Sequence, residues 1–178
     1  NYLYSCFFGK GIDLGGGIGS VSSVIAKSSN VDNIICLELA ENCVKYCHPK
    51  VIKKILKRHS NKVISVVGEF DNIELEDNSL DFAIAWDSFH HSNNLIKTLA
   101  EVRRVLKKDG YCIIIDRAHQ NNTSEEEINR MLNIKYSKAW LKENYLPEDK
   151  IFFRKDNGEH EYRFRDWENF FFRSKFKI

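Results

Sequence analysis

The stretch Lys10 to Ser20 reads Lys-Gly-Ile-Asp-Leu-Gly-Gly-Gly-Ile-Gly-Ser, and it narrows the possible folds more than any other part of the chain. A short apolar strand runs into a glycine-dense turn, and Ser20 to Lys27 then carries Val21, Val24 and Ile25 at helical spacing. Glycines at 15, 17 and 19 permit positive φ and let a ligand approach the backbone with no Cβ between them. A strand, a bare turn and a helix N-terminus in this order make a nucleotide site.

The spacing bears on which nucleotide. A dinucleotide fingerprint needs glycine at its first, third and sixth positions, and counted from Gly15 the sixth is Ser20. The run Asp13-Leu14-Gly15-Gly16-Gly17-Ile18-Gly19 instead fits acidic-x-Gly-x-Gly-x-Gly, and on it the chain resembles the class I S-adenosylmethionine (SAM) dependent methyltransferases, of the small-molecule type. A tight turn in another Rossmann-like protein, such as an NAD-dependent oxidoreductase, is the alternative. The resemblance covers Lys10 to Gly110 in order and spacing, and the tail less closely. It implies a doubly wound α/β domain: a mostly parallel Rossmann-like sheet with helices on both faces, SAM across the switch-point crevice, and transfer of the sulfonium methyl to a nucleophilic small-molecule acceptor. A non-catalytic SAM-binding or scaffold domain of the same fold is the other reading.

The expected site follows the strand ends. A second strand, Ile34 to Leu37, ends at Glu38, about 20 residues beyond the turn, where a carboxylate accepts both ribose hydroxyls of an adenosine. Leu39 is placed against the adenine face. A third strand, Lys62 to Val67, leads into Gly68-Glu69-Phe70-Asp71, and the resemblance assigns adenine contacts to Glu69 and Phe70, with Asp71 as a substitute. A fourth strand, Phe82 to Ala85, precedes Trp86-Asp87-Ser88-Phe89-His90-His91; Asp87 is placed toward the cationic methionine moiety and the histidines beside the substrate pocket. A fifth strand, Tyr111 to Ile115, precedes Asp116-Arg117-Ala118-His119, so Arg117 and His119 are substrate-side candidates. His90, His91 and His119 are the candidate general bases, needed only for a protonated acceptor. The cofactor set is therefore Asp13, Gly15, Gly16, Gly17, Gly19, Glu38, Leu39, Glu69, Phe70 and Asp87.

Between these strands the sequence predicts helices over Ala40 to Tyr46, from Pro49 with Val51, Ile52, Ile55 and Leu56 as its stripe, and over Asn94 to Leu106 with Arg103 and Arg104 outside and Gly110 closing the segment. The basic face Lys50, Lys53, Lys54, Lys57 and Arg58 reads as solvated, with RNA or an acidic partner as the alternative. Residues 121–149 exceed a plain crossover. Thr123 or Ser124 with Glu126 or Glu127 caps a helix through Ile128, Met131 and Leu132, and Tyr136, Trp140, Leu141 and Tyr145 continue as an amphipathic segment; the whole reads as a lid within one domain. Asp156-Asn-Gly158 signals a hairpin between two strand-like runs, and Asp166 to Phe176 a helix. Family members carry helices before the first strand and two strands after this point, so the resemblance implies either a chain that is part of a longer protein or, at the second end, a non-standard hairpin supplied by Ile151 to Phe164.

Composition excludes little. Among 178 residues, Lys and Arg total 27 against 25 Asp and Glu, which gives no global field for nucleic acid or an anionic membrane. No apolar run approaches a membrane span of roughly 20 residues, and the cytoplasm is the expected compartment. Five cysteines lack a framework spacing. Cys43, Cys47 and His48 share a helix face, but a fourth ligand is not evident and no metal is expected.

Overall fold

The computed structural model describes residues 6–143 and 146–177. Five strands, β1 (Gly9–Leu14), β2 (Val31–Glu38), β3 (Val63–Val67), β4 (Leu80–Trp86) and β5 (Leu106–Ile115), form a wholly parallel sheet in the order β3-β2-β1-β4-β5. The chain leaves β1 in one direction and returns to β4 on its other side, so the carboxyl ends of β1 and β4 flank the switch point. The helices are α1 (Ser20–Ile25), α2 (His48–Leu56), α3 (Leu95–Val105), α4 (Glu125–Leu132), α5 (Lys138–Glu143) and α6 (Phe164–Arg173).

The central strands are buried on both sides, as parallel sheets covered by helices are, and alternate residues feed two cores. On one face Ile12, Leu14, Ala83 and Ala85 pack with Leu95, Leu99, Val102 and Val105 of α3 and Trp167 of α6. On the other, Ile34, Cys36, Phe82 and Ile84 pack with Phe7, Ile25 of α1, and Ile52 and Leu56 of α2. Gly11 sits where the Phe82 ring crosses β1; a Cβ there would lie 2.0 Å from the ring.

Each of the five sheet strands expected from the sequence forms, β2 starting earlier at Val31, β4 at Leu80 and β5 at Leu106. Helix α3 is capped by Asn94, whose Oδ1 accepts from Lys97 N at 3.1 Å, and stops at Val105. Gly110 does not close it. Leu106 already pairs with Leu80, residues 107–110 bulge out, and pairing resumes at Phe82 with Tyr111. Gly110 serves this bulge, since a Cβ there would approach three backbone oxygens at 3.0 to 3.2 Å. Ahead of α2, the segment Cys43–Cys47 is a π-helical turn that runs straight on into His48. Helix α4 forms with Ser124 as its cap, and α5 follows with Leu141 buried and Tyr136 stacked on Trp140 at 3.7 Å. Tyr145, assigned to this segment, lies outside the described residues, as do residues 1–5 and Ile178. The expected hairpin around Asp156-Asn-Gly158 is absent. Arg154–Asn157 is a single 3-10 turn closed by Gly158 at φ 72, because Arg154, Glu159 and Glu161 are drawn inward by ion pairs and Phe153 bridges to Lys135. No helix among the described residues is long and apolar enough to cross a membrane.

Arg104 is also not simply an outward residue. Its guanidinium donates to Leu75 O at 2.7 Å and Ile73 O at 2.6 Å, and pairs with Asp77 and Glu101, while Glu101 accepts from Ile73 N. The loop between β3 and β4 is thus pinned to α3 by side chains of the helix, Arg104 making the most contacts and Glu101 and Lys97 adding one each. Arg104→Met is expected to lower unfolding free energy by about 1 to 3 kcal/mol, measured by urea titration, whereas Arg103→Met on the exposed side changes it by less than about 0.5 kcal/mol.

Candidate functional site

The parallel register sets the end of β1 beside the end of β2, with Asp13 opposite Cys36 and Leu14 opposite Leu37. The chain then turns sharply, and Leu37 O accepts from both Gly15 N (2.9 Å) and Gly16 N (3.0 Å). Gly17 N donates to Glu38 Oε2 at 2.9 Å, Ala40 N donates to Glu38 Oε1 at 2.9 Å, and Gly19 N returns to Gly16 O at 2.8 Å. Gly15 takes φ 75 and lies against Ser88, where a Cβ would come within 2.6 Å of the serine Cβ.

In front of this turn a cavity of about 660 Å³ opens beyond the strand ends, within the range of small-molecule sites. Gly15, Gly17, Glu38 and Leu39 line one side, Gly68 to Asp71 the next, and Asp87, Ser88, His91 to Asn93, Thr98, Asn157 and Gly158 the rest. Leu39, 63% exposed, and Phe70 give apolar surface to a wall that also carries Glu38, Glu69, Asp71 and Asp87. Phe70 packs edge-on to buried Phe89 at 5.7 Å. Asp87 is held at φ 50 while its N–H donates to Ile115 O at 2.7 Å, a conformation that turns its carboxylate out of the β4 ladder.

Of the residues chosen from sequence, Gly15, Gly17, Glu38, Leu39, Glu69, Phe70, Asp87 and His91 line this cavity. Asp13, Gly16 and Gly19 stand behind the turn. Gly16 backs onto Cys36, and a Cβ there would lie 2.3 Å from its sulfur. Asp13 is 1% exposed and accepts from Ser22 Oγ at 2.5 Å; burial pushes its carboxyl up to about 6 against the opposing Ser22 hydrogen bonds.

The three histidines separate. His91 is on the cavity wall, its Nδ1 donating to Asn157 O at 3.2 Å, so that Nε2 keeps the lone pair of the neutral ring. Burial, and then neighbouring His90, lower its pKa. His90 is enclosed behind it, with Nδ1 2.7 Å from Asp116 Oδ1 and Nε2 facing an Arg117 Nη. His119 pairs with Glu161 at 2.6 Å, away from the cavity lining.

Asp87, His90 and Asp116 bring ligand-type atoms within 4.8 Å of one another. The hydrogen bonds favour an ionic network over a cation there. Nε2 of His90 accepts from Arg117, which leaves the proton on Nδ1, the atom a metal would need. The network continues through Arg117 to Glu159 (3.1 Å) and from Arg154 to Glu159 (2.7 Å) and Glu161. Burial opposes ionisation of Glu159, but hydrogen bonds from Tyr136 and Arg154 and the charges of Arg154 and Arg117 hold its pKa at about 2. Sequence reasoning missed this network and the lining residues Asn157 and Gly158. The available signal was the alternation of charged Glu159 and Glu161 within an aromatic segment.

A family model described as "Methyltransferase domain" matches residues 12–114. A glycine/sarcosine/dimethylglycine N-methyltransferase from Actinopolyspora halophila is 26% identical over 122 residues, which are 68% of this chain and 21% of that protein. Among solved structures, YcgJ from Bacillus subtilis superposes with a TM-score of 0.67 at 18% identity, over 93% of this chain and 60% of its own, a likeness of fold. A candidate sarcosine dimethylglycine methyltransferase from Galdieria sulphuraria gives a TM-score of 0.64 at 28% identity, over 74% of this chain and 49% of its own. The chain spans about a fifth of the length of the curated relative and half to three-fifths of these two structures.

Folded Asp13 keeps its proton up to about pH 6, while the unfolded chain releases it near 3.8. The protonated carboxyl therefore favours the fold below pH 3.8, and that contribution is lost as pH rises through 6. Asp13→Asn cannot ionise and still accepts from Ser22. Wild-type stability relative to Asp13→Asn is expected to fall by on the order of 3 kcal/mol between about pH 4 and about pH 6.5, measured by urea unfolding of both proteins at each pH; parallel curves would contradict it.

Proposed function

Because this chain belongs to the methyltransferase-domain family, we propose that the cavity binds SAM and that the whole protein transfers its methyl group to a small-molecule acceptor. The observation that carries the reading is the charge of the wall. Glu38, Glu69, Asp71 and Asp87 line the cavity, and no described lysine or arginine does. Lys97 reaches Asp71 at 3.2 Å and Arg117 reaches Asp87 at 3.4 Å from outside the lining, which leaves Glu38 and Glu69 without a cationic partner among the described residues. Such a wall suits a ligand that bears cationic groups and no phosphate. The amides of Gly15, Gly16, Gly17 and Gly19 are all consumed inside the fold, so they offer no cradle for the pyrophosphate of a dinucleotide.

The residues present fit the group. Glu38, fixed by two backbone amides, keeps lone pairs on both oxygens for a ribose diol. Leu39 and Phe70 offer apolar surface for a base, Glu69 and Asp71 accept from an exocyclic amine, and Asp87 offsets positive charge near the turn. SAM, when bound, supplies an already activated methyl, so the chain's task is alignment and the exclusion of water. For a protonated acceptor, His91 is the group able to take the proton. It is on the wall, its Nδ1 is committed to Asn157, and its lowered pKa keeps Nε2 unprotonated at neutral pH. Asn157 and Gly158 complete the wall on that side, and the segment 121–149 is connected to it through Tyr136, whose hydroxyl accepts from Asn157 Nδ2 at 3.2 Å. We read that segment as a lid within a single domain.

The two named relatives above favour an amine as the first acceptor class to test, because one is named for N-methylation of glycine, sarcosine and dimethylglycine and the other for sarcosine and dimethylglycine. Cys36, Cys43, Cys47 and Cys112 are free thiols, which suits a reducing compartment and supports the cytoplasm.

Calorimetric titration is expected to show micromolar binding of SAM and S-adenosylhomocysteine and none of NAD, with Glu38→Ala losing the SAM signal by 100-fold or more, on the order of 3 kcal/mol. Binding of NAD in place of SAM would reverse the assignment. Once an acceptor is in hand, His91→Ala is expected to lower kcat by about 100-fold with SAM affinity unchanged. In the wild type the acid limb of kcat should fall below the ordinary histidine value of 6.5.

A further inference from the structure

We propose that His48, together with the thiol of Cys43, is a positioning residue that clamps the Gly17 carbonyl and, through φ and ψ of that glycine, the N–H that holds the Glu38 carboxylate; this rests on the SAM reading above. His48 is fully buried, and its Nε2 lies 2.8 Å from Gly17 O. Cys43 Sγ donates to the same oxygen at 3.0 Å. On its other side Gly17 donates its N–H to Glu38. Both hydrogen-bonding groups of this one residue are therefore held, the carbonyl from α2 and the turn before it, the amide from the end of β2.

Packing does not hold Gly17. It takes φ 53, and a Cβ built on it would meet nothing within 4 Å, since its Cα faces the open cavity. Hydrogen bonds must then fix the backbone: the Gly17 N–H lies in the 16–17 peptide and its carbonyl in the 17–18 peptide, and holding both limits rotation about φ and ψ of Gly17, which set where the N–H meets the Glu38 carboxylate. The imidazole is retained against an opposing cost. With Nε2 as the donor, Nδ1 of His48 is buried with no partner among the described residues. A leucine would fill the space without that orphan, so the ring is explained by what Nε2 does. Burial and the neighbouring Cys47 push the Cys43 thiol up to about 11, which keeps it protonated and a donor at neutral pH. The same ring also supports the next turn residue, lying 3.4 Å from where a Cβ on Gly19 would stand. Cys43, Cys47 and His48, which share a helix face as metal ligands would, are thus divided: Cys43 and His48 converge on a backbone oxygen.

The test compares wild type with His48→Leu, His48→Gln and Cys43→Ala, because glutamine Nε can donate at a reach comparable to imidazole Nε2. One readout is S-adenosylhomocysteine affinity by calorimetry. The other is hydrogen exchange of the Gly17 amide by NMR without ligand, which does not depend on any cofactor. His48→Leu is expected to weaken affinity and to accelerate Gly17 exchange, each by about tenfold, with Cys43→Ala milder and His48→Gln restoring most of both. Equal losses in the leucine and glutamine variants, or altered exchange with unchanged affinity, would overturn the positioning role. If wild type itself binds no S-adenosylhomocysteine, the cofactor reading fails, and exchange alone decides the clamp: acceleration in His48→Leu with rescue in His48→Gln upholds it. Should His48→Leu not fold, Cys43→Ala against wild type carries the same comparison.

Discussion

The arrangement at the switch point depends on one interaction, the hydrogen bond from the Gly17 amide to the Glu38 carboxylate. It joins the loop after β1 to the last residue of β2, and it exists because the parallel register brings these two ends level. Leu37 O gathers the two preceding amides, so three successive N–H groups of the turn are directed at residues 37 and 38. A carboxylate that accepts from two backbone amides has little rotational freedom left. Its remaining lone pairs are thereby held in a fixed direction at the rim of the cavity. The same bonds explain why the turn is not a phosphate cradle, although its glycines read like one: donors pointed at an internal carboxylate cannot also hold an anion.

Behind the acidic wall the charge problem is solved differently. Asp116, Glu159 and Glu161 are shielded from water, and isolated carboxylates there would be costly. Each is matched: Asp116 by His90, Glu159 by Arg117 and Arg154, Glu161 by His119 and Arg154. The network spans elements far apart in sequence, the ends of β4 and β5 and the segment around Arg154. Its consequence is positional. By tying residues 154–161 to the strand ends, it delivers Asn157 and Gly158 to the cavity and gives His91 its carbonyl partner. A charge cluster that resembles a cation site by composition is, by its proton positions, a brace.

Much of this was legible in the sequence. The apolar runs of β1, β2 and β4 and the glycine spacing lead to the sheet order and to Glu38, because these features are local and periodic. The stripe of α3 and the Ser124 cap were readable for the same reason. What failed was non-local. Gly110 looks like a helix terminator, yet Leu106 pairs with Leu80 first, and strand pairing overrides the terminator. Asp156-Asn-Gly158 looks like a hairpin turn, but a hairpin needs its flanks to pair along their backbones, and here one flank bonds to residues 134–136 and the other to His90 and His119. No spacing rule announces that Arg154 will be buried.

The carboxylates of the site show why residue identity alone does not assign a role. Asp13 opens the glycine signature and Glu38 ends β2, and both lie near a strand end beside the glycine turn. Asp13 points into the sheet's core side, where burial raises its pKa and its one side-chain partner is Ser22, a residue of α1. It fastens the helix to the strand. Glu38 sits one strand over, at the rim, with backbone amides for partners and open space in front. The difference follows from geometry. Side chains alternate between the faces along a strand, so at the last residue the edge of the sheet, and no longer a face, decides what the side chain meets. An acid one residue short of the end of β1 is enclosed; an acid at the final residue of β2 reaches the crevice. On that reasoning the acid of the glycine signature is enclosed by the fold, and the acid at the end of β2 is left facing the cavity.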